Sequence, residues 1–203
     1  MRWPGRSLTG WTSIEVLDAV AARRALARRM LRCPDCGGTL QPWGRARSRT
    51  VRDLGGQLLT VRPDRARCTA CRATHVVLDA ALLPGRAYTV QFVGQALVGA
   101  ARGRGHRPIA AELGAPDGTV RGWLRRARRS AHQLWTVGVQ AVVALDPATL
   151  PTLDRPDPLA SAVEALIAAA LAAGGRLGVE HHGLWPRIAV LTRGRLLAVA
   201  PPG

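Results

Sequence analysis

Four cysteines are the side chains best placed to do chemistry in this sequence, and they come as two pairs, Cys33-Pro-Asp-Cys36-Gly-Gly and Cys68-Thr-Ala-Cys71-Arg. Two residues between the members of a pair let both thiolates face one ion. Backbone amides after the first cysteine can donate to its sulfur, and a glycine after the second suits the tight turn. Two such knuckles make a closed tetrahedral site, the structural type for Zn2+, with no position left open for substrate. The gap of 31 residues between Cys36 and Cys68 is longer than the commonest spacing. A β-hairpin fills it naturally, because a hairpin returns the chain to where it started. The competing readings are a thioredoxin-like redox pair that leaves the second pair idle, two disulfides, and iron in place of zinc. His75 stands near the second pair, but four sulfurs fill the site, so it is read as a surface or packing histidine.

A second constellation begins at Arg107. Ile109, Ala110 and Leu113 give a short helix an apolar side, with Ala110 small where two helices would cross. Gly114 suits a left-handed turn position. A second helix starts at Pro116 or Asp117, with Val120, Trp123 and Leu124 three and four apart on the core side. Gly118, Thr119, Arg121, Gly122 and Arg125 occupy the other side. That is the layout of a helix-turn-helix whose second helix enters the major groove by its N-terminal end. Arg121 and Arg125 could read guanine edges or hold phosphates. Arg126, Arg128 and Arg129 suit phosphates, and Thr119 suits a phosphate or a thymine methyl. Gly118 and Gly122 argue against sharp specificity, and each costs a helix about 1 kcal/mol relative to alanine. The competing reading is an ordinary helical hairpin with a solvated arginine face.

The charge follows these two motifs. The chain has 203 residues and a formal net charge of +16, all its basic residues being arginine. Residues 1–141 hold 24 arginines against eight acids, whereas residues 142–203 hold five of each. A basic part beside a neutral part points to a polyanion, with double-stranded DNA first. The arginines do not fall on one clean amphipathic face, so a membrane surface fits less well. No signal segment is visible, and the apolar run from Ala165 to Ala173 is too short to span a bilayer. A cytoplasmic location, with reduced thiols, is the expectation.

The elements expected around the motifs make an α+β chain. Thr12-Ser13-Ile14-Glu15 resembles a capping box and predicts a helix to about Leu31, within an N-terminal segment 1–32. A zinc-ribbon β unit follows at 33–86. Its period-two run from Arg45 to Arg52 predicts a strand, Gly55-Gly56 a turn, and Gln57–Arg62 a return strand stopped by Pro63. Alternating Arg45, Arg47 and Arg49 could add phosphate contacts. Pro84-Gly85 breaks the chain ahead of a mainly α domain at 87–141. There the spacing predicts helices at about 89–102 and 108–113, and a third from 117 that runs past Trp135. Prolines mark a linker at 142–157. In the tail, 158–203, Asp157-Pro158 opens a helix expected to end at Gly174-Gly175, and Ile188–Thr192 with Leu196–Ala200 predict a closing hairpin. The tail helix is apolar nearly all round. It either packs on the chain's own elements or forms a homodimer interface that pairs two helix-turn-helix units.

The order of motifs carries a resemblance. Cys-Pro-x-Cys-Gly-Gly, a basic β segment, Cys-x-x-Cys-Arg-x-Thr-His, Leu83-Pro84 and then Thr119-Val120-Arg121-x-Trp123-Leu124 resemble a helix-turn-helix family of unknown function from GC-rich bacteria. The arrangement is also similar to the N-terminal DNA-binding region of insertion-sequence transposases, over roughly residues 33–130. Those enzymes add a ribonuclease H-like domain with carboxylates holding two metals. Here the acids after Ala141 are Asp146, Asp154, Asp157, Glu164 and Glu180, and three of these lie in the proline-rich linker. The resemblance therefore implies a DNA-binding regulator or mobile-element accessory protein, not an enzyme. The alternative is a zinc-ribbon module that docks on a protein such as RNA polymerase.

Overall fold

The computed structural model describes residues 11–150 and 157–197. The expected α+β class holds: strands dominate up to Asp79 and helices dominate after it. Strand β1 (Trp11–Val16) is followed by helix α1 (Ala19–Ala27) and then by β2 (Leu40–Arg45), β3 (Arg49–Arg52), β4 (Leu58–Val61), β5 (Asp64–Cys68) and β6 (Thr74–Asp79). Four of these strands form one sheet in the order β1-β6-β5-β2. Strands β3 and β4 form a separate hairpin. Within the sheet β2, β5 and β6 pair antiparallel, while β1 lies parallel to β6 with Ile14 opposite Val77.

The N-terminal helix expected from Thr12 to Leu31 is thus a strand followed by a shorter helix. Thr12, Ile14 and Val16 are β-branched at alternate positions, which suits a strand better than a first helical turn. Asp18 is the true cap, its carboxylate oxygen accepting from the amides of Val20 and Ala21 at 2.8 Å each. The arginine-rich run is also broken. Strand β2 ends at Arg45 and β3 starts at Arg49. Pro63 falls between β4 and β5, as its missing N–H requires.

The helices are α2 (Val90–Ala101), α3 (His106–Leu113), α4 (Asp117–Arg129), α5 (Ala131–Leu145), α6 (Pro158–Leu177) and α7 (Leu184–Leu191). The predicted continuation past Trp135 is interrupted at Ser130, where α4 gives way to α5. Helix α6 starts as expected, with the Asp157 carboxylate accepting from the Leu159 amide at 3.0 Å. It runs through Gly174-Gly175 and ends at Gly178, which is left-handed. Gly174 is tolerated inside the helix because the Arg187 side chain occupies the space beside it, with Nη1 donating to the Ala170 carbonyl at 2.7 Å. The predicted closing hairpin is replaced by α7. Its β-branched residues suggested a strand, but Trp185, Ile188 and Ala189 lie three and four apart and bury one helical face. Residues 198–200 of that hairpin and 151–156 of the linker lie outside the described residues.

Two cores result. A small one joins α1 to the sheet through Ala22, Leu26, Leu40, Ala66 and Val77, together with Cys33 and Cys68. A large one gathers α2 to α7, and includes Phe92, Leu97, Leu124, Leu166 and Ile188. Helix α6, at 20 residues, is longer than the apolar run picked out in the sequence and is long and apolar enough to cross a membrane. Two thirds of that window is nevertheless buried inside the protein, where α6 packs on α5, α2 and α7.

Candidate metal centre and basic face

The first cysteine pair lies on the loop between α1 and β2; of the second, Cys68 ends β5 and Cys71 stands in the turn to β6. Pairing of Leu40 with Cys68, and a 3.0 Å bond from the Thr69 amide to the Thr39 carbonyl, bring the loops together. Each knuckle is closed by its own backbone. The Cys33 amide donates to the Gly38 carbonyl at 2.8 Å, the Gly37 amide to the Cys33 carbonyl at 2.9 Å, and the Cys68 amide to the Ala73 carbonyl at 2.9 Å. The residue after each second cysteine is left-handed: Gly37 with φ +73° and Arg72 with φ +66°. Glycine makes this turn without strain, whereas arginine adopts it only because the fold imposes it.

The four sulfurs converge. Cys33 Sγ lies 3.7 Å from Cys71 Sγ and Cys36 Sγ lies 3.5 Å from Cys68 Sγ, and all four fall within 4.8 Å of one another. No pair approaches the roughly 2 Å of a disulfide. The arrangement could hold a metal ion in a four-thiolate set. Burial pushes the Cys33 thiol up to about 12, although the amides of Asp35 and Cys36 favour its thiolate. Burial also acts against the Cys68 thiolate, but the amides of Cys71 and Ala70 and the Cys36 thiol overcome it and bring that thiol down to about 7. Burial raises Cys71 as well. An incoming ion must therefore displace protons, so its affinity rises with pH.

Two neighbours crowd this site. Of the two expected alternatives for His75, surface or packing, burial favours packing: it is fully buried, and its Nε2 lies 3.3 Å from Cys33 Sγ and 3.9 Å from the Asp35 carboxylate. Burial lowers its pKa, with Asp35 acting in the opposite direction. Cys33, Asp35 and His75 also bring ligand atoms together, but that set shares Cys33 with the four-sulfur set. The second neighbour is Gly38. A Cβ there would stand 3.0 Å from Cys68 Sγ and 3.2 Å from Cys36 Sγ. Gly38→Ala is expected to weaken metal binding by about 1–3 kcal/mol, the range for overpacking a closed site. Competition with a chromogenic chelator measures it, and an unchanged affinity would show that the knuckle has room to spare.

The second constellation also comes together as a surface. Helix α3 ends at Gly114, which is left-handed with φ 64°, and α4 follows after Pro116. Val120, Trp123, Leu124 and Ala127 are buried, as the spacing predicts. Arg121, Arg125, Arg128 and Arg129 are exposed, while Thr119 and Arg126 are half-buried. Among the described residues none of these five arginines is ion-paired. The nearby pairs are Arg107 with Asp117 at 4.0 Å and Arg104 with Glu112.

The three β-segment arginines fare differently from one another. Arg47 is exposed on the connection between β2 and β3. Arg45 is exposed but shares Asp64 with Arg23 of α1, at 3.6 and 2.7 Å. Arg49 is half-buried, and its guanidinium donates to the carbonyls of Arg86 at 2.9 Å and Leu83 at 3.1 Å. Its charge is used to hold the turn between β6 and α2. A regular alternation in sequence does not carry all three to one surface, because the chain bends between β2 and β3.

No curated protein and no solved structure matches the chain. Residues 33–123, from the first cysteine of the four-cysteine cluster to Trp123 of α4, match the family model described as Domain of unknown function (DUF6431).

Proposed function

We propose that the protein binds double-stranded DNA through α4, in a helix-turn-helix made of α3 and α4, beside a structural zinc site made by the four cysteines. The observation that carries this reading is the outward side of α4. Five arginines lie along it with no acidic partner among the described residues, while the opposite side is fixed in the core. A solvated face in a stable helix ordinarily mixes signs or pairs its charges. An unopposed run of guanidiniums instead suits phosphates, which would supply the missing negative charge.

Zinc suits the sulfur cluster by size. A zinc–sulfur bond of about 2.3 Å places tetrahedral sulfurs about 3.8 Å apart. The closest sulfur pairs, at 3.5 and 3.7 Å, need only a slight expansion. Four thiolates leave no open position, so the ion is structural, and the reading is of a regulator or mobile-element accessory protein without catalysis.

A mobility-shift series with random-sequence duplex DNA tests the reading. Affinity should fall steeply with salt, and Arg121→Gln with Arg125→Gln together should reduce the slope of log affinity against log salt by about two. No shift at low salt would overturn DNA binding. A protein partner would then be favoured, for which the exposed Trp43, Leu58 and Leu59 on and beside the hairpin are the contact candidates.

A further inference from the structure

The turn between β6 and α2 lies against α4 and leaves a notch of about 370 Å3 between them. Arg86 lines it from the turn. Thr119, Arg125 and Arg126 line it from α4, and Gly118 and Gly122 form its floor. We propose that this notch is a site for one tetrahedral phosphate group, and that in the DNA-bound protein it holds a backbone phosphodiester. The proposal rests on the DNA-binding reading above and adds to it Arg86, a residue outside α4.

The charge in the notch is unbalanced. Arg86 and Arg126 are both half-buried, and neither they nor Arg125 is ion-paired among the described residues. Charged groups withdrawn from water call for a partner of opposite sign. Burial, and then the charge of Arg126, lower the pKa of Arg86, so the two guanidiniums oppose each other across the notch. An oxyanion between them would remove that repulsion. Guanidiniums from two separate elements suit a group that offers oxygens in several directions, as phosphate does.

The notch is also held in shape. Arg49 fixes the turn from beneath through the carbonyls of Leu83 and Arg86. Tyr88 locks the end of the turn to α4, its ring edge-on to Trp123 at 4.9 Å. Arg86 is thus presented on a braced turn and not on a free loop. The floor accounts for the two glycines that looked unfavourable in a reading helix. A Cβ at Gly118 would meet nothing within 4 Å and would project into open space. One at Gly122 would meet Arg126 Nη1 at 3.2 Å. Side chains there would fill the notch or push Arg126 out of it.

The experiment uses the full zinc-loaded chain, with Arg86→Gln and Gly122→Ala as variants. Salt-dependent binding to duplex DNA is measured alongside thermal stability in inorganic phosphate, against chloride at equal ionic strength. Arg86→Gln should lower the salt slope by about one and weaken binding equally across sequences. Gly122→Ala should raise the thermal midpoint, through better helix propensity, while weakening DNA binding. Those opposite signs would not arise from a folding defect. Wild-type DNA binding with the slope and affinity unchanged in both variants would overturn the notch and leave the DNA reading intact. Phosphate stabilisation of the wild type, lost in Arg86→Gln, without any DNA binding would overturn the DNA reading and identify free phosphate as the ligand. Neither DNA binding nor phosphate stabilisation would overturn both.

Discussion

With a structural ion on the four cysteines, as proposed above, its removal, or replacement of Cys68 by Ser, is expected to unfold residues 33–80 while the helical lobe stays folded. The reason lies in what the small core is made of. Of its seven buried side chains, two are the cluster cysteines Cys33 and Cys68, and two of the others are alanines. Leu26, Leu40 and Val77 are too few to hold a sheet whose connections are long. Structural zinc contributes about 10–16 kcal/mol in small peptides, as much as the whole stability of an ordinary domain at about 5–15 kcal/mol. Cys68→Ser adds a further cost, because residue 68 is fully buried and a hydroxyl there has lost its ion. The helical lobe has its own apolar core and does not draw on the thiolates. Hydrogen exchange after complete chelation should therefore show β2, β5 and β6 unprotected and α2, α5 and α6 still protected. Retained protection in β5, with metal loss verified by elemental analysis, would refute a stabilising role for the ion.

The second large effect is expected at Gly94 and Trp185. Trp185 of α7 is 2% exposed, and a Cβ on Gly94 of α2 would clash with the carbons of its indole ring. Trp185→Ala should cost about 3–5 kcal/mol through lost burial and the cavity left behind. Gly94→Ala, which improves helix propensity, should nevertheless destabilise by about 1–3 kcal/mol, because a buried rigid ring cannot move aside. The two sites share one volume, so Gly94→Ala combined with Trp185→Leu should cost less than the sum of the two single changes. Denaturant midpoints at constant slope measure this. Strict additivity would mean that the indole sits elsewhere.

Parts of this protein differ in how far they can be read ahead of a structure. The four-cysteine cluster is legible because its chemistry is local: two residues between cysteines dictate the knuckle, and Gly37 takes the left-handed turn. The α3–α4 turn is legible for the same reason, since Gly114 supplies φ > 0 and Val120, Trp123 and Leu124 keep helical spacing. Errors arise where tertiary contact outweighs local preference. Thr12 to Glu15 has the letters of a capping box, yet a neighbouring strand edge pairs with it. Val190 and Ile188 suggest a strand, yet Trp185 draws them into a helix. His75 cannot be judged from its neighbours in sequence, because only the register of β5 on β6 carries it behind Cys33. Arg49 and Arg86 are no different in type from the other arginines. Only the fold shows that one braces the turn on which the other stands.

The parallel pairing of β1 with β6 has a consequence for modularity. The stretch shared with the DUF6431 family, residues 33–123, begins after β1 and stops inside α4. Excised at those limits, β6 would lose a neighbouring strand and present a bare row of amides and carbonyls, and α2 would lose the indole that covers Gly94. The shared stretch is therefore not a cassette that can be transplanted by itself. In this protein the segments on either side do that work, β1 covering one edge of the sheet and the helices after α4 covering one face of the stretch.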